Sequence, residues 1–116
     1  MIRTTLYVHP RPGDAQRVID LYEERGVVGR AMTTPGCHSI EIGLLAPRRQ
    51  MVVVTAKWDN RESYDTWLNC KDRAADIEAL SPLLSDPPTP AMIVEITGGS
   101  VSLTPAGQQM SVEAAQ

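Results

Sequence analysis

The 116-residue chain is poor in large aromatic side chains: it contains no phenylalanine, two tryptophans and three tyrosines. Cysteine is equally scarce, and Cys37 and Cys70 lie far apart without the CxxC spacing of a zinc or redox site. We therefore expect two free thiols in a reducing cytoplasm. No apolar run approaches the roughly 18 residues of a membrane span. The residues after Met1 do not resemble a signal peptide either.

Positive charge is also in short supply, because 14 aspartates and glutamates outnumber 11 lysines and arginines. The resulting net charge of -3 argues against nucleic acid or a membrane surface as a partner, since both usually need a basic patch. The two histidines, His9 and His38, form no ligand spacing with the scattered carboxylates. The sequence therefore predicts no metal site.

The apolar residues that are present follow two periods along the chain. Alternation with a period of two predicts strands over residues 2–9, 37–45, 51–58 and 91–97. An amphipathic helix is predicted to begin after Asp14 and to end or bend near Gly26. A second helix is predicted to begin at Asp59, with Glu62 completing a capping box. It should break near Asn69–Cys70, because a continuous helix would place Lys71 on the apolar face, and should resume to about Leu80.

This order is βαββαβ, which predicts an α+β, ferredoxin-like domain over residues 1–104, with two helices on one face of a four-stranded antiparallel sheet. Residues 105–116 are predicted to be a polar tail. The uncovered sheet face is predicted to carry apolar residues, whose exposure to water would cost about 25 cal/mol per Å². We therefore expect a homodimer that packs sheet face to sheet face. The predicted apolar residues of this face are Tyr7, Met51, Val53, Ala91 and Ile93.

Two stretches carry a resemblance to a known family: "PGC" before the second strand, and "WDNRESYDTWLNC" after the third. Together they resemble the antibiotic biosynthesis monooxygenase family of dimeric α/β barrels. In that family a strand ends in Trp, and a helix then presents an aromatic residue and a Trp three positions later. Trp58, Tyr64 and Trp67 match these positions. The resemblance covers roughly residues 2–97.

The resemblance implies a small aromatic substrate and dioxygen as reactants, with no cofactor. In oxygenases of the family, a deprotonated phenol or anthrone reduces dioxygen directly and becomes a quinone. The predicted catalytic residues are Trp67, whose indole N–H would stabilise the developing oxyanion, and His38, as general base, with ordered water as the alternative base. Residues predicted to line the pocket are Trp58, Tyr64, Leu6 and Ile40.

Several alternatives stay open at this stage. Trp67 can be ordinary core, and His38, which is predicted to share a face with Ile40, can be a structural histidine. The same pocket would suit a polyketide cyclase or a non-catalytic ligand-binding dimer. Haem-opening relatives carry a histidine ten residues after the Trp and an asparagine in the first strand. The chain has Ile77 and Leu6 there, so haem degradation is disfavoured.

Overall fold

The computed structural model describes residues 1–99 of the chain. The predicted polar tail and residues 100–104 of the predicted domain lie outside the described residues. Four strands are present: β1 (Ile2–Val8), β2 (Cys37–Leu44), β3 (Val52–Trp58) and β4 (Met92–Glu95). Four helices are present in the same part of the chain: α1 (Ala15–Glu24), α2 (Val27–Met32), α3 (Arg61–Leu68) and α4 (Lys71–Leu80), followed by a 3-10 turn at Ser81–Leu83.

The strands form one antiparallel sheet in the order β2-β3-β1-β4. This is the predicted ferredoxin-like arrangement, in which the first and third strands lie at the centre. The register places Leu6 opposite Val54, and Val54 opposite Ile42, so these side chains share one face. Along β3, every second residue from Val52 to Trp58 is buried, which marks the face that the helices cover.

The core lies between that inner sheet face and the helical layer. Val18 and Tyr22 are buried on α1, Tyr64 and Trp67 on α3, and Leu80 at the end of α4. The predicted break in the second helix is confirmed, since α3 ends at Leu68 and α4 begins at Lys71. The break lets α4 turn a different set of side chains inward from the one that α3 presents.

Two local predictions are wrong, and one helix was missed. Asp59 was expected to cap α3, but the cap is Asn60, whose side chain accepts a hydrogen bond of 3.0 Å from the Ser63 amide. Helix α2 was not predicted, because a stretch of six residues that includes a glycine is too short to show the apolar periodicity of a helix. The faces of β4 are reversed. Register with β1 pairs Thr4 with Ile93, which places Ile93 on the inner face and leaves Met92 and Val94 on the outer face.

Candidate functional site

A cavity of about 60 Å³ lies between the inner sheet face and the helices. The sheet contributes mostly aliphatic side chains, and the helices contribute aromatic and charged ones. Such an apolar hollow with a few convergent polar groups is typical of a small-molecule site. The lining residues are Thr4, Leu6, Val8, Tyr22, Val27, Ile40, Val54, Ala56, Trp58, Tyr64, Trp67, Arg73, Asp76, Ile77, Leu80, Pro88 and Ala91.

The two tryptophans differ in how their indole N–H groups are used. Trp58 is fully buried at the end of β3 and donates a hydrogen bond of 3.1 Å to the Thr4 hydroxyl. Trp67 also lines the cavity, but its Nε1 donates to no residue in the described range 1–99. Because no fully buried polar side-chain atom there lacks a partner, the Trp67 N–H must be reached from the cavity or from solvent. The indole N–H of Trp67 is therefore unused within residues 1–99, whereas that of Trp58 is engaged.

Two tyrosines add hydroxyl groups to the helical wall of the cavity. Tyr64 packs its ring against Trp58 with a centroid distance of 5.5 Å and a tilt of 53°. Tyr22 faces the cavity from α1. Burial raises the pKa of both phenols, and the positive charge of Arg73 opposes that rise at each. Both hydroxyls therefore stay protonated at neutral pH and can donate hydrogen bonds.

Helix α4 brings two charged side chains to the cavity, and their surroundings differ. Asp76 is 3% exposed and accepts from Arg25 Nε at 2.7 Å and from Arg30 Nη1 at 2.5 Å. Its negative charge is thus compensated by two guanidinium groups from α1 and α2. Arg73 is half-buried and forms no salt bridge with any carboxylate in residues 1–99.

His38 does not line the cavity, and the prediction that it shares the face of Ile40 is wrong. Cys37 pairs with Trp58 and Ser39 pairs with the preceding residue of β3, so a bulge leaves His38 unpaired between them. The extra residue turns the imidazole outward, where Nε2 bonds the carboxylate of Asp59. The side chain of His38 is 47% exposed.

Comparison with known proteins identifies the family. The model of the antibiotic biosynthesis monooxygenase family matches residues 1–75. The chain belongs to this family. A comparison with curated protein sequences gives no match.

Solved structures of similar fold extend the likeness beyond those residues. The Rv0793 protein of Mycobacterium tuberculosis superposes with a TM-score of 0.72 at 14% identity, covering 86% of this chain and 98% of that one. A conserved protein from Methanosarcina mazei Go1 gives 0.71 at 14% identity, with 83% and 92% covered. A structure described as an antibiotic biosynthesis monooxygenase gives 0.70 at 14% identity, with 84% and 100% covered. At these identities the likeness shows the fold alone.

In this family member, five of the six predicted site residues meet at the cavity: Trp67, Trp58, Tyr64, Leu6 and Ile40. The sequence reasoning missed Arg73 and Asp76. A signal for them exists in α4, where residues 73, 76, 77 and 80 follow the spacing of one helical face. That face combines two charges with Ile77 and Leu80, and charges in an otherwise apolar stripe are a sign of a site.

An open groove of about 490 Å³ adjoins the cavity, between helices α3 and α4 and the proline-rich segment 87–90. Five residues line both spaces and so form the partition between them: Tyr64, Arg73, Ile77, Pro88 and Ala91.

Within residues 1–99, no three His, Cys, Asp or Glu side chains come together as metal ligands. No helix in that range is long and apolar enough to cross a membrane.

Proposed function

We propose that the protein is a cofactor-independent monooxygenase that converts a phenolic or anthrone-type aromatic substrate into a quinone. The observation that supports this proposal is the position of Trp67. Its ring forms part of the cavity wall, and its N–H has no acceptor among residues 1–99. The pocket thus offers aromatic surface for a planar guest and a donor for an oxygen atom that becomes negatively charged.

The proposed reaction needs only the substrate and dioxygen. A ring CH₂ of the anthrone type loses a proton, and the carbanion transfers electrons to dioxygen and forms a carbon–oxygen bond. The peroxide then loses water as the O–O bond breaks. One oxygen atom becomes the quinone carbonyl, and the other leaves as water with the two hydrogens of the CH₂ group. All the electrons that reduce dioxygen come from the substrate.

The protein's part in this reaction is to bind, orient and stabilise charge. Trp67 would donate to the oxyanion as it forms, and the hydroxyls of Tyr22 and Tyr64 would hold the substrate oxygens. Because His38 lies outside the cavity, we propose water as the proton acceptor. About 10–15 Å³ is enough for one water molecule, so the cavity can hold several.

The size of the cavity adds a condition. Typical small-molecule sites measure about 300–1,000 Å³, well above the 60 Å³ found here. A three-ring substrate would therefore have to displace Pro88 and Ala91, two residues of the partition, and so join the cavity to the adjacent groove. Both residues lie in or beside the loop between α4 and β4 rather than in a helix.

Anthrone and dioxygen provide the direct test of this proposal. Chelator-treated protein is expected to consume dioxygen and release anthraquinone faster than the buffer does. Trp67→Phe keeps the ring but removes the donor, so turnover should fall by about 100-fold, as when an oxyanion-hole donor is lost. Its binding of anthrone should stay close to wild type, and its melting temperature should fall only modestly, because the smaller ring leaves a void at this buried position. Anthraquinone formation at only the spontaneous rate would exclude the oxygenase.

A non-catalytic, ligand-binding role is the second candidate, and one observation favours it. Asp76 is the one carboxylate that lines the cavity within residues 1–99, and both of its oxygens are held by arginines. No free side-chain base therefore faces a guest. Binding of anthrone without dioxygen consumption would support this role, whereas turnover that is lost in Trp67→Phe would exclude it.

We also propose that two copies pack sheet face to sheet face. The outer face carries Tyr7 paired with Val53, and Met92 and Val94 on β4 are 55% and 52% exposed. Proteins of this family are typically oligomeric. A second copy would remove this apolar area from water, which is favourable by about 25 cal/mol per Å².

The cytoplasm is the compartment that we propose, because both cysteines are free thiols.

A further inference from the structure

The polar groups of the cavity are dominated by hydrogen-bond donors. Trp67 offers an indole N–H, Tyr22 and Tyr64 offer hydroxyls, and Arg73 offers its guanidinium. The acceptors of Thr4 and Asp76 are already engaged, and the two tyrosine hydroxyls can either donate or accept. The Thr4 hydroxyl accepts from Trp58, and Asp76 is held by two arginines. Trp67 and Arg73 can only donate, so a guest that satisfies both must supply acceptors.

The charges around the helical wall also leave an excess of one positive charge. Asp76 and Asp72 lie opposite Arg25 and Arg30, with Arg30 Nε 3.7 Å from the carboxylate of Asp72. These two carboxylates and two guanidinium groups balance. Arg73 remains without a carboxylate partner in residues 1–99, although it is half-buried against apolar side chains. A guanidinium that no carboxylate in residues 1–99 holds is available to a bound anion, and its partial burial strengthens that attraction relative to a fully exposed charge.

Arg73 also occupies a position from which it can meet a ligand on entry. It lines both the cavity and the groove between α3–α4 and the proline-rich segment. A carboxylate that reaches Arg73 from the groove would place an attached aromatic ring toward the cavity. The planar guanidinium suits a two-point contact with a carboxylate, which a lysine ammonium cannot make.

From this arrangement we propose that the ligand is a planar aromatic anion whose charged oxygens are bound by Arg73, with a carboxylate as the group that fits it best. This inference rests on the proposed function only in taking the same cavity as the substrate site. It adds the class of substrate, an aromatic acid, and names Arg73 as the residue that selects it.

Three naphthalene derivatives of matched shape test the proposal by isothermal titration calorimetry, without dioxygen chemistry. They are 2-naphthoate, which is an anion, and 2-naphthamide and 2-naphthol, which are neutral at pH 7. Wild type is expected to bind 2-naphthoate at least 10-fold more tightly than 2-naphthamide. Arg73→Gln should lose this preference, and Arg73→Lys should keep only part of it. A preference for 2-naphthol that grows as the pH is raised would instead identify a phenolate as the anion.

The matched control is Arg17→Gln, which removes one positive charge from α1, where the Arg17 side chain is 74% exposed. It should keep the full preference, which separates a local contact from a change in net charge. Equal affinity of wild type for 2-naphthoate and 2-naphthamide would overturn the proposal. So would an unchanged preference in a folded Arg73→Gln protein, or no binding of 2-naphthoate at millimolar concentration. None of these outcomes depends on quinone formation, so each is distinguishable from a failure of the oxygenase proposal.

Discussion

At the scale of single residues, the two tryptophans show how one side-chain type serves two purposes. The indole of Trp58 closes the inner face of the sheet, and its bond to Thr4 ties β3 to β1 deep in the core. The indole of Trp67 is nearly as well buried and lines the cavity, but its N–H donates to no residue in the range 1–99. The two indoles differ because the Thr4 hydroxyl accepts from Trp58. Thr4 lies 54 positions before Trp58, so the residues next to either tryptophan do not reveal the difference.

Thr4→Val tests the importance of that buried bond. Valine has nearly the shape of threonine but no acceptor, so the Trp58 N–H would be left buried without a partner. We expect the free energy of unfolding to fall by about 1–3 kcal/mol in urea denaturation followed by circular dichroism. Thr89→Val, the same exchange at an exposed loop residue, should change it by less than about 0.5 kcal/mol. Equal effects of the two substitutions would show that the bond contributes nothing.

A second residue-scale prediction concerns Gly36, where the turn before β2 meets the start of α3. The carbonyl of Gly36 accepts from the Asp59 amide at 2.8 Å, and a Cβ there would lie 2.1 Å from Ser63 Oγ. Its φ of +87° is also unfavourable for any residue with a side chain. Backbone strain alone should lower the free energy of unfolding of Gly36→Ala by about 1–2 kcal/mol. The melting temperature should therefore fall by several degrees.

The control for Gly36→Ala lies in α2. At Gly29, the position that a Cβ would occupy has no neighbouring heavy atom within 4 Å, and the backbone is not left-handed. Gly29→Ala should raise the free energy of unfolding by about 0.5–1 kcal/mol, because alanine loses less backbone entropy on entering a helix. Thermal melting of both variants would measure these opposite effects on stability. A Gly36→Ala protein as stable as wild type would mean that the turn has room to move.

At the scale of secondary-structure elements, the sequence predicted the order of strands and long helices, and it predicted the break between α3 and α4. The break could be predicted from the sequence, because a continuous helix would place Lys71 on its apolar face. The faces of β4 were not readable, since every position from Ala91 to Val94 is apolar and no alternation distinguishes inside from outside. The orientation of His38 was also unreadable, because a bulge depends on pairing with β3 and leaves no pattern in the residues of β2 itself.

The element-scale prediction concerns the attachment of α4 to α1 and α2 through Asp76. Removing the carboxylate would leave Arg25 and Arg30 facing each other in a poorly solvated space. Losing one partner of a fully buried ion pair costs about 3–5 kcal/mol. Because the Arg25 side chain is 33% exposed, we expect Asp76→Asn to cost about 2–3 kcal/mol, below that range.

One turn earlier on the same helix, Asp72 provides the comparison for Asp76. Its side chain is 67% exposed and lies 3.7 Å from Arg30 Nε, so Asp72→Asn should cost no more than about 1 kcal/mol. Both variants would be measured by urea denaturation at the same protein concentration. If Asp72→Asn proved as destabilising as Asp76→Asn, burial of the pair would not be the source of its strength.

At the scale of the whole molecule, the sheet divides the chain into two surfaces of different character. The inner surface is covered by helices and contains the cavity, and its residues could be predicted from alternation along β1 and β3. The outer surface has no covering element within residues 1–99, yet it presents Tyr7, Val53, Met92 and Val94. The sequence indicated that this face needs a partner. The sequence did not identify which residues of β4 lie on this outer face, because pairing with β1 determines the side to which they point.

The proposed sheet-face homodimer leads to the last prediction, which concerns the mass of the protein in solution. Sedimentation velocity of the wild-type protein is expected to give twice the mass of the chain. Val94→Lys would place a charge on the proposed interface and should give the single-chain mass with unchanged secondary structure, since Val94 is 52% exposed in the isolated chain. Met32→Lys, at a residue 45% exposed on the helical side, should remain dimeric. A wild-type protein of single-chain mass would exclude the dimer, and a dimeric Val94→Lys protein would move the interface away from the sheet.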